Sequence, residues 1–335
     1  MTPIRFVLAA TALLGLTACA VSTGPIEHSA SDELATEIIE AVEVSETLEA
    51  EGGEVEMVIE SDDVETEQEM AWSSADVLEA ALNAQPMSSK VRYDARHPRE
   101  TLTFFGVEPG MTVVEALPGG GWYSKILMRY LGPEGTLIGA QYPDDIWAKI
   151  LPDPTDEDIA ELVAASAGWP EWAESWGIEN SPRIENIYLP SFGKDTGPTA
   201  DVVLFIRVMH NLNRADEDRH YFTAAIAEAY ALLKPGGIVG VVQHRAPAEA
   251  PDEWADGRTG YLKQDYVIAA FEAAGFELEA ASEINANPRD KPGLGDVVWR
   301  LPPTYLGADV DTPEREAVEA IGESDRMTLK FRKPA

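Results

Sequence analysis

The sequence between residues 71 and 335 predicts an α/β domain with a doubly wound, mainly parallel sheet and helices on both faces. Short apolar runs alternate with helical patterns, a glycine-rich turn follows the first run, and a Lys-Pro-Gly-Gly turn precedes a later one. Such alternation favours parallel strands joined by right-handed crossovers. In sheets of this kind ligands bind at the carboxyl ends of the strands.

The first half of this domain predicts two helices and then a strand, a turn, a helix and a second strand. Residues 73–84 (SSADVLEAALNA) offer serine N-caps before apolar residues at helical spacing, and a second helical stretch lies near 97–105. The apolar run MTVVEAL is the first strand. The glycine turn follows it, and after a helix over 122–131 the run TLIGAQY is the second strand.

The second half continues the alternation and completes a seven-stranded sheet. Its predicted elements are, in chain order, a tryptophan-rich helical insertion over 155–177, a strand near 184–189, the strand DVVLFIRV from Asp201, a helix over 216–233, the strand IVGVVQHRA, a helix over 264–274, and strands near 276–284 and 326–332. Three tryptophans of the insertion, Trp169, Trp172 and Trp176, are three and four residues apart. That spacing favours packing against the core or a cleft over an aromatic cage.

The amino terminus predicts export. Arg5 precedes an apolar stretch over residues 6–16, which is too short to span a bilayer and is typical of a signal peptide. The following Leu-Thr-Ala-Cys resembles the lipobox of bacterial lipoproteins. The resemblance implies a signal peptide over residues 1–18, lipidation of Cys19, and an exported, membrane-anchored protein that faces the periplasm. An ordinary secretory signal is the alternative. Cys19 is the only cysteine, which excludes an internal disulfide or a cysteine metal site.

Residues 19–70 predict an acidic, disordered tether between the lipid anchor and the domain. Seventeen Asp and Glu residues lie between Glu27 and Glu69, without any Lys or Arg, and they carry half of the formal net charge of −34. Such a segment buries too little apolar surface to offset its ordering entropy. The acidity also argues against nucleic acid as a partner, because phosphate backbones bind basic surfaces.

Glycine turns such as EALPGGGWY bind several classes of ligand. A dinucleotide fingerprint has glycines at three positions, and Gly119 and Gly121 occupy two of them, but Ser124 stands at the third. Gln141 stands where that fingerprint places an acid for the ribose. A phosphate loop needs Lys and then Ser or Thr after its last glycine, where this chain has Trp-Tyr. Neither class fits well.

The turn instead resembles the first motif of class I S-adenosylmethionine (SAM) methyltransferases, in which an acid, a spacer and glycines connect the first strand and helix. The resemblance implies that Glu115 meets the ammonium or hydroxyls of SAM. It also implies that Gly119, Gly120 and Gly121 let the backbone pass close to its methionine portion. Gln141 then replaces the acid that usually binds the SAM ribose, and an amide binds a hydroxyl more weakly than a carboxylate does.

Motifs throughout the domain extend this resemblance. Asp201 opens the fourth strand, and LLKPGG before the fifth resembles an element of many small-molecule methyltransferases. Further matching stretches are PGGGWYS, VMHN (208–211), VVQHRA (241–246), TGYL (259–262), NPRD (287–290) and GESDRMTLKF (322–331). Together they resemble a group of exported bacterial methyltransferases over residues 75–334. The resemblance implies a Rossmann-like, seven-stranded methyltransferase fold and SAM as cofactor, without specifying the substrate.

Two strand-end histidines are the catalytic candidates. His210 follows the fourth strand and His244 ends the fifth, so both face the predicted cleft, where a base serves an acceptor that carries a proton. A strand-end histidine is also a common structural residue. A metal site at this pair is disfavoured, because the ligands have no recognisable spacing. Weaker pocket candidates are Tyr123, Tyr261, Asn287 and Asp290.

The sequence therefore predicts a SAM-dependent methyltransferase that acts on a small-molecule acceptor and is anchored to the membrane through Cys19. The alternative is a non-catalytic binding or envelope-associated lipoprotein on a degenerate methyltransferase fold. Two features keep this alternative open: Gln141 replaces the ribose-binding acid, and the export signal separates the chain from SAM made in the cytoplasm.

Overall fold

A computed structural model of the chain describes residues 72–192 and 197–335. The predicted signal peptide over residues 1–18, the lipidation site Cys19 and the acidic tether over residues 19–70 lie outside the described residues. Among the residues that are described, no helix combines the length and the apolar character needed to cross a membrane.

Seven strands form one sheet in the order β3-β2-β1-β4-β5-β7-β6. Their bounds are β1 Thr112–Ala116, β2 Thr136–Gln141, β3 Arg183–Tyr188, β4 Ala200–Ile206, β5 Leu233–His244, β6 Glu277–Ser282 and β7 Arg326–Arg332. All neighbouring pairs among β1 to β5 are parallel, and β7 runs antiparallel to both β5 and β6. The chain winds outward in opposite directions from β1 and β4, so the carboxyl ends of these two strands flank a crevice.

Helices cover both faces of the sheet, as the sequence predicts. Their bounds are α1 Ser74–Asn83, α2 Met87–Lys90, α3 Tyr93–Arg96, α4 Pro98–Phe105, α5 Trp122–Leu131, α6 Trp147–Ile150, α7 Asp156–Ala167, α8 Trp169–Glu174, α9 Met209–Arg214, α10 Asp216–Arg219, α11 Tyr221–Leu232, α12 Gln264–Ala273 and α13 Pro313–Ile321. Ser73 caps α1 and accepts a hydrogen bond from the amide of Asp76.

Alternate strand residues enter two separate cores. Val113 and Leu137 pack in one core with α1, α4 and α5, whereas Val114 and Ile138 pack in the other with α9, α11 and α12. Because successive side chains of a strand point to opposite faces, a sheet covered on both sides needs a nearly continuous apolar run. This requirement explains why the central strands of the sequence are so uniformly apolar.

The predicted helix over 216–233 is two helices in the structure. His220 separates α10 from α11 and adopts a left-handed conformation with φ of +56°. The carboxylate of Asp216 accepts a hydrogen bond of 2.8 Å from the amide of Phe222 and so satisfies a donor in the first turn of α11. Side-chain capping of this kind competes with a continuous helix, which a periodic apolar pattern does not reveal.

Asp201 and the Lys-Pro-Gly-Gly segment lie at the edge of the sheet opposite the glycine turn. Asp201 accepts hydrogen bonds from the amide of Thr112 at 2.9 Å and from Nζ of Lys234 at 2.7 Å. These contacts join the amino-terminal ends of β1, β4 and β5. The two sequence features that accompany the glycine turn are therefore fold determinants here, remote from the carboxyl-end crevice.

Candidate active site

The glycine turn after β1 is held in a strained conformation at the crevice. Leu117 has a φ of +43°, a region that side chains rarely adopt, and its amide donates to the carbonyl of Ala140 at 2.7 Å. Gly119 also has a positive φ, of +52°. Gly119 and Gly120 remain partly exposed. Strained backbone of this kind is concentrated at binding sites, where the surrounding structure maintains it.

Gly121 has a packing role that differs from that of the other two glycines. It is the N-cap of α5, is buried and has a φ of +77°. A β-carbon placed on it would lie 2.3 Å from Cη2 of Trp176, and a β-carbon on Gly139 would lie 2.5 Å from Cε3 of Trp169. The packing interpretation of the tryptophan stripe is thus confirmed, because two of its rings fill space that glycines leave open.

The two predicted polar cofactor ligands lie on adjacent strands. Glu115 is buried and its carboxylate accepts a hydrogen bond of 2.6 Å from the hydroxyl of Ser124 on α5. Gln141 is also buried, and its amide donates to Oδ1 of Asn186 on β3 at 3.2 Å. Both side chains are thus oriented by neighbouring elements of the fold.

The structure brings the two candidate histidines together. The ring centroids of His210 and His244 are 5.5 Å apart, and both side chains are buried. Nδ1 of His210 lies 3.3 Å from the amide nitrogen of Gln243, while Nδ1 of His244 shares a hydrogen bond with the hydroxyl of Ser324. Within the described ranges, no group of three or more His, Cys, Asp or Glu side chains could hold a metal ion.

Both histidines are neutral at pH 7. Burial lowers the pKa of His210 to about 3. Burial is also the main cause that holds the pKa of His244 well below its ordinary value, followed by electrostatic coupling to the His210 ring and by the charge of Arg326. A base whose pKa lies far below the working pH accepts a proton with little driving force. The environment of the free protein therefore suits hydrogen bonding by these rings better than proton abstraction.

The weaker pocket candidates mainly hold the loops around the site. The hydroxyl of Tyr261 donates to Asp290 at 2.9 Å, and the same carboxylate oxygen accepts from the amide of Asp325 at 3.0 Å. The side-chain amide of Asn287 donates to the carbonyl of Glu323 at 2.6 Å. These bonds tie residues 283–312 to the segment before β7. Tyr123 is buried, and its hydroxyl donates to the carbonyl of Arg96 at 3.3 Å.

A buried arginine cluster beside the histidines was not predicted from the sequence. Glu323 lies 3.1 Å from Nε of Arg96 and 3.4 Å from Nε of Arg92, and Nη2 of Arg326 donates to its other oxygen. Arg96 and Arg326 are each only 2% exposed. Burial acts to raise the pKa of Glu323, but the guanidinium charges, foremost those of Arg96 and Arg326, prevail and hold it well below its usual range.

The arginine cluster borders a small recess at the carboxyl ends of β4 and β5. Its volume is about 230 Å³, counting space open to solvent. The lining consists of Arg207, His244, Val298, Leu301, Pro302, Pro303, Thr304, Glu323, Ser324 and Arg326. Arg207 directly follows β4 with a φ of +60°, and its amide donates to the carbonyl of Val242 at 2.7 Å.

Sequence signals for this recess existed but were ambiguous. Arg207 ends the otherwise apolar run DVVLFIRV, and Glu323, Ser324 and Arg326 all belong to the stretch GESDRMTLKF. Charged residues at strand ends are usually solvated, and Lys, Arg, Glu and Asp are almost never fully buried unless paired. The sequence alone does not show that residues more than a hundred positions apart share one enclosed space.

This chain is similar to known proteins only over a short stretch or at low sequence identity. No family model matches the chain. A curated relative, ribosomal RNA small subunit methyltransferase H of Flavobacterium psychrophilum, is 38% identical over 55 residues, which are 16% of this chain and 19% of that protein. The matched part thus spans less than a fifth of that relative.

Solved structures with a similar arrangement include three proteins of low sequence identity. A SAM-dependent methyltransferase from Aquifex aeolicus is 14% identical, covers 78% of this chain and all of its own, and has a TM-score of 0.42. The [4+2]-cyclase SpnF is 15% identical, with coverages of 79% and 97% and a TM-score of 0.45. The 1,6-didemethyltoxoflavin-N1-methyltransferase of Burkholderia thailandensis is 11% identical, covers 78% of this chain and 87% of its own, and has a TM-score of 0.39. The strand order and pairing of the chain itself define a Rossmann-like, seven-stranded methyltransferase fold.

Proposed function

We propose that this protein is a SAM-dependent methyltransferase whose methyl acceptor is a small molecule. One observation carries the proposal: a strained, partly exposed glycine turn follows a strand with a buried acid, Glu115, at the crevice between β1 and β4. Doubly wound sheets bind ligands at this place. The net charge of −34 favours a small acceptor over nucleic acid.

The residues at the crevice fit SAM in kind. Gly119 and Gly120 present backbone without side chains, which allows close approach of a ligand. Glu115 lies on β1 just before the turn, and Gln141 ends the neighbouring strand β2, where its amide suits hydroxyl groups. Trp176 closes the space beside Gly121, so we assign the cradle to the first two glycines. When bound, SAM would supply an electrophilic methyl group for an acceptor lone pair, with its demethylated thioether as the leaving group.

The remaining contribution of the chain is to orient the acceptor and to exclude water. A separate apolar cluster that contains Trp254, Tyr261 and Trp299 lies next to the two histidines, with the Trp299 ring 5.8 Å from that of His210. Each histidine uses Nδ1 for the hydrogen bond described above, and we assign Nε2 to the acceptor. Alignment of an acceptor in line with the sulfonium contributes more to such a reaction than a strong base when the acceptor carries no proton.

The proposed location is an exported protein held on the membrane by lipid on Cys19. Its support is the lipobox-like sequence and the acidic tether that follows. Cys19→Ser tests this part: the wild-type chain should sediment with membranes and the variant should not. Equal membrane association of both would contradict lipid anchoring through Cys19.

Calorimetric titration of SAM and of its demethylated product into the full chain tests the cofactor. We expect micromolar binding of both. Gly120→Val should weaken binding by at least about tenfold, because a branched side chain projects into the cradle at a glycine whose φ is not positive. Gly295→Val is the matched control, since a β-carbon there meets no atom within 4 Å.

An absence of SAM binding by a folded protein would contradict the proposal. The alternative, a binding lipoprotein on a degenerate methyltransferase fold, would then be favoured. The amide at Gln141, in place of a ribose-binding carboxylate, would be the first residue to test as the cause, by Gln141→Glu.

A further inference from the structure

We infer that the recess between Arg207, Thr304 and Arg326 binds an oxyanion group, a carboxylate or a phosphate, of the small molecule on which the protein acts. The identification of that molecule as a methyl acceptor rests on the proposed function. The anion site itself is inferred from the charges, hydrogen bonds and positions of the residues that line the recess.

The charge of the lining favours an anion. Two guanidinium groups, those of Arg207 and Arg326, line the recess together with one carboxylate, that of Glu323. Arg92 and Arg96 contact the same carboxylate from outside the lining, so its negative charge is shared among several cations. A chain with 59 acidic and 25 basic residues has thus concentrated positive charge at an enclosed place. The lining thus holds more guanidinium groups than carboxylates, a composition that favours a bound anion.

A buried hydroxyl without a hydrogen-bond partner in the described part of the chain belongs to a residue that lines the same recess. Oγ1 of Thr304 is buried and has no hydrogen-bond partner among residues 72–192 and 197–335, and Thr304 lines the recess. Buried polar atoms in folded proteins nearly always have a partner, so a donor left over beside a recess indicates a ligand or an ordered water. Ser324 and neutral His244 add polar groups to the lining. Guanidinium and hydroxyl donors are the groups that bind carboxylate and phosphate oxygens.

The position of the recess relates this anion to the proposed reaction. Arg207 directly follows β4, the strand next to β1, and the glycine turn directly follows β1. Its amide bond to the carbonyl of Val242 holds Arg207 at the carboxyl end of β4, where it lines the recess. An acceptor held by an anionic group in the recess can therefore direct another of its atoms toward the crevice.

The test measures thermal unfolding of the full chain against acetate and, separately, inorganic phosphate at constant ionic strength. Ligands that bind the native state raise its melting temperature in proportion to occupancy, which yields a dissociation constant. Arg207→Gln should raise that constant by about tenfold or more, as expected for loss of a charged hydrogen bond. Thr304→Val should raise it by about threefold, as expected for a neutral hydrogen bond. The stronger of the two anions identifies the group as a carboxylate or a phosphate.

Arg258→Gln is the matched control, because Arg258 is an exposed arginine outside the recess. Equal anion affinity in the wild type, in both recess variants and in this control would overturn the inference. SAM titration separates the two proposals. If Thr304→Val binds SAM as tightly as the wild type but binds the anion more weakly, both proposals are supported. If the recess variants weaken anion binding but the protein does not bind SAM, the anion site is upheld and the methyltransferase proposal is contradicted.

Discussion

The indole of Trp176 occupies the space that a side chain at Gly121 would need, with Cη2 only 2.3 Å from the ideal β-carbon position. This contact joins the helical insertion between β2 and β3 to the first turn of α5. It divides the glycine turn into two functions, because Gly121 serves packing while Gly119 and Gly120 stay partly exposed.

Gly121→Ala should therefore destabilise the protein more than an ordinary glycine substitution. A left-handed alanine costs about 1–2 kcal/mol, and overpacking against Trp176 adds about 1–3 kcal/mol to the loss of unfolding free energy. Gly177→Ala is the control, since Gly177 has a positive φ but its β-carbon would meet nothing within 4 Å. Urea unfolding measures both. Equal losses of unfolding free energy in the two variants would show that Trp176 moves aside without destabilising the protein.

Glu323→Gln should cost about 3–5 kcal/mol of unfolding free energy, because removing one partner of a buried ion pair leaves buried charge uncompensated. Its carboxylate holds Arg96 and Arg326, which are nearly inaccessible to solvent. Glu319→Gln removes an exposed ion pair with Arg315 and should change stability by less than about 0.5 kcal/mol. A Glu323→Gln protein as stable as this control would contradict the structural importance of the cluster.

Stability should fall as the pH is lowered below about 6.5. The pKa of His210 is about 3 in the folded protein and that of His244 is also lowered, against an ordinary value of 6.5. In the unfolded chain these rings bind protons as the pH falls from 6.5, while the native rings stay neutral. Each histidine should thus reduce the unfolding free energy by up to about 1.4 kcal/mol per pH unit until its folded pKa is reached.

Urea unfolding at pH 7.5, 6.5, 5.5 and 4.5 measures this dependence. His210→Asn should reduce the slope between pH 6.5 and 4.5, because it removes one of the two titrating rings. His220→Gln, which replaces an exposed histidine, is the matched control. An unchanged slope in His210→Asn would show that burial does not keep this ring neutral.

Asp201→Ala should reduce the unfolding free energy by about 1–3 kcal/mol and leave the SAM dissociation constant unchanged. The amide of Thr112 loses its acceptor, and Lys234 loses an ion pair, at the edge of the sheet far from the glycine turn. Asp252→Ala, which removes an exposed carboxylate, should have an effect below about 0.5 kcal/mol. Weaker SAM binding at unchanged stability would instead place Asp201 at the ligand site.

Much of the fold and part of the candidate site follow from local sequence patterns. Apolar runs of strand length, capping residues and glycine turns act over a few positions, and they predicted the seven strands and most of the main helices. The same reasoning predicted that His210 and His244 both face the crevice, because the carboxyl ends of parallel strands share one edge of the sheet. The structure adds that their ring centroids are 5.5 Å apart. Their roles in catalysis remain predictions.

By itself, the sequence determined the doubly wound sheet, the location of the glycine turn and the position of both histidines at the carboxyl edge. Only the tertiary structure decided that Gly121 packs against Trp176, that Asp201 lies at the opposite edge, and that Arg207 and Arg326 line one recess. The physical reason is the distance along the chain over which each kind of interaction acts. Periodicity and turn chemistry are local, whereas burial, charge pairing and enclosed space arise from contacts between segments that the linear order keeps far apart.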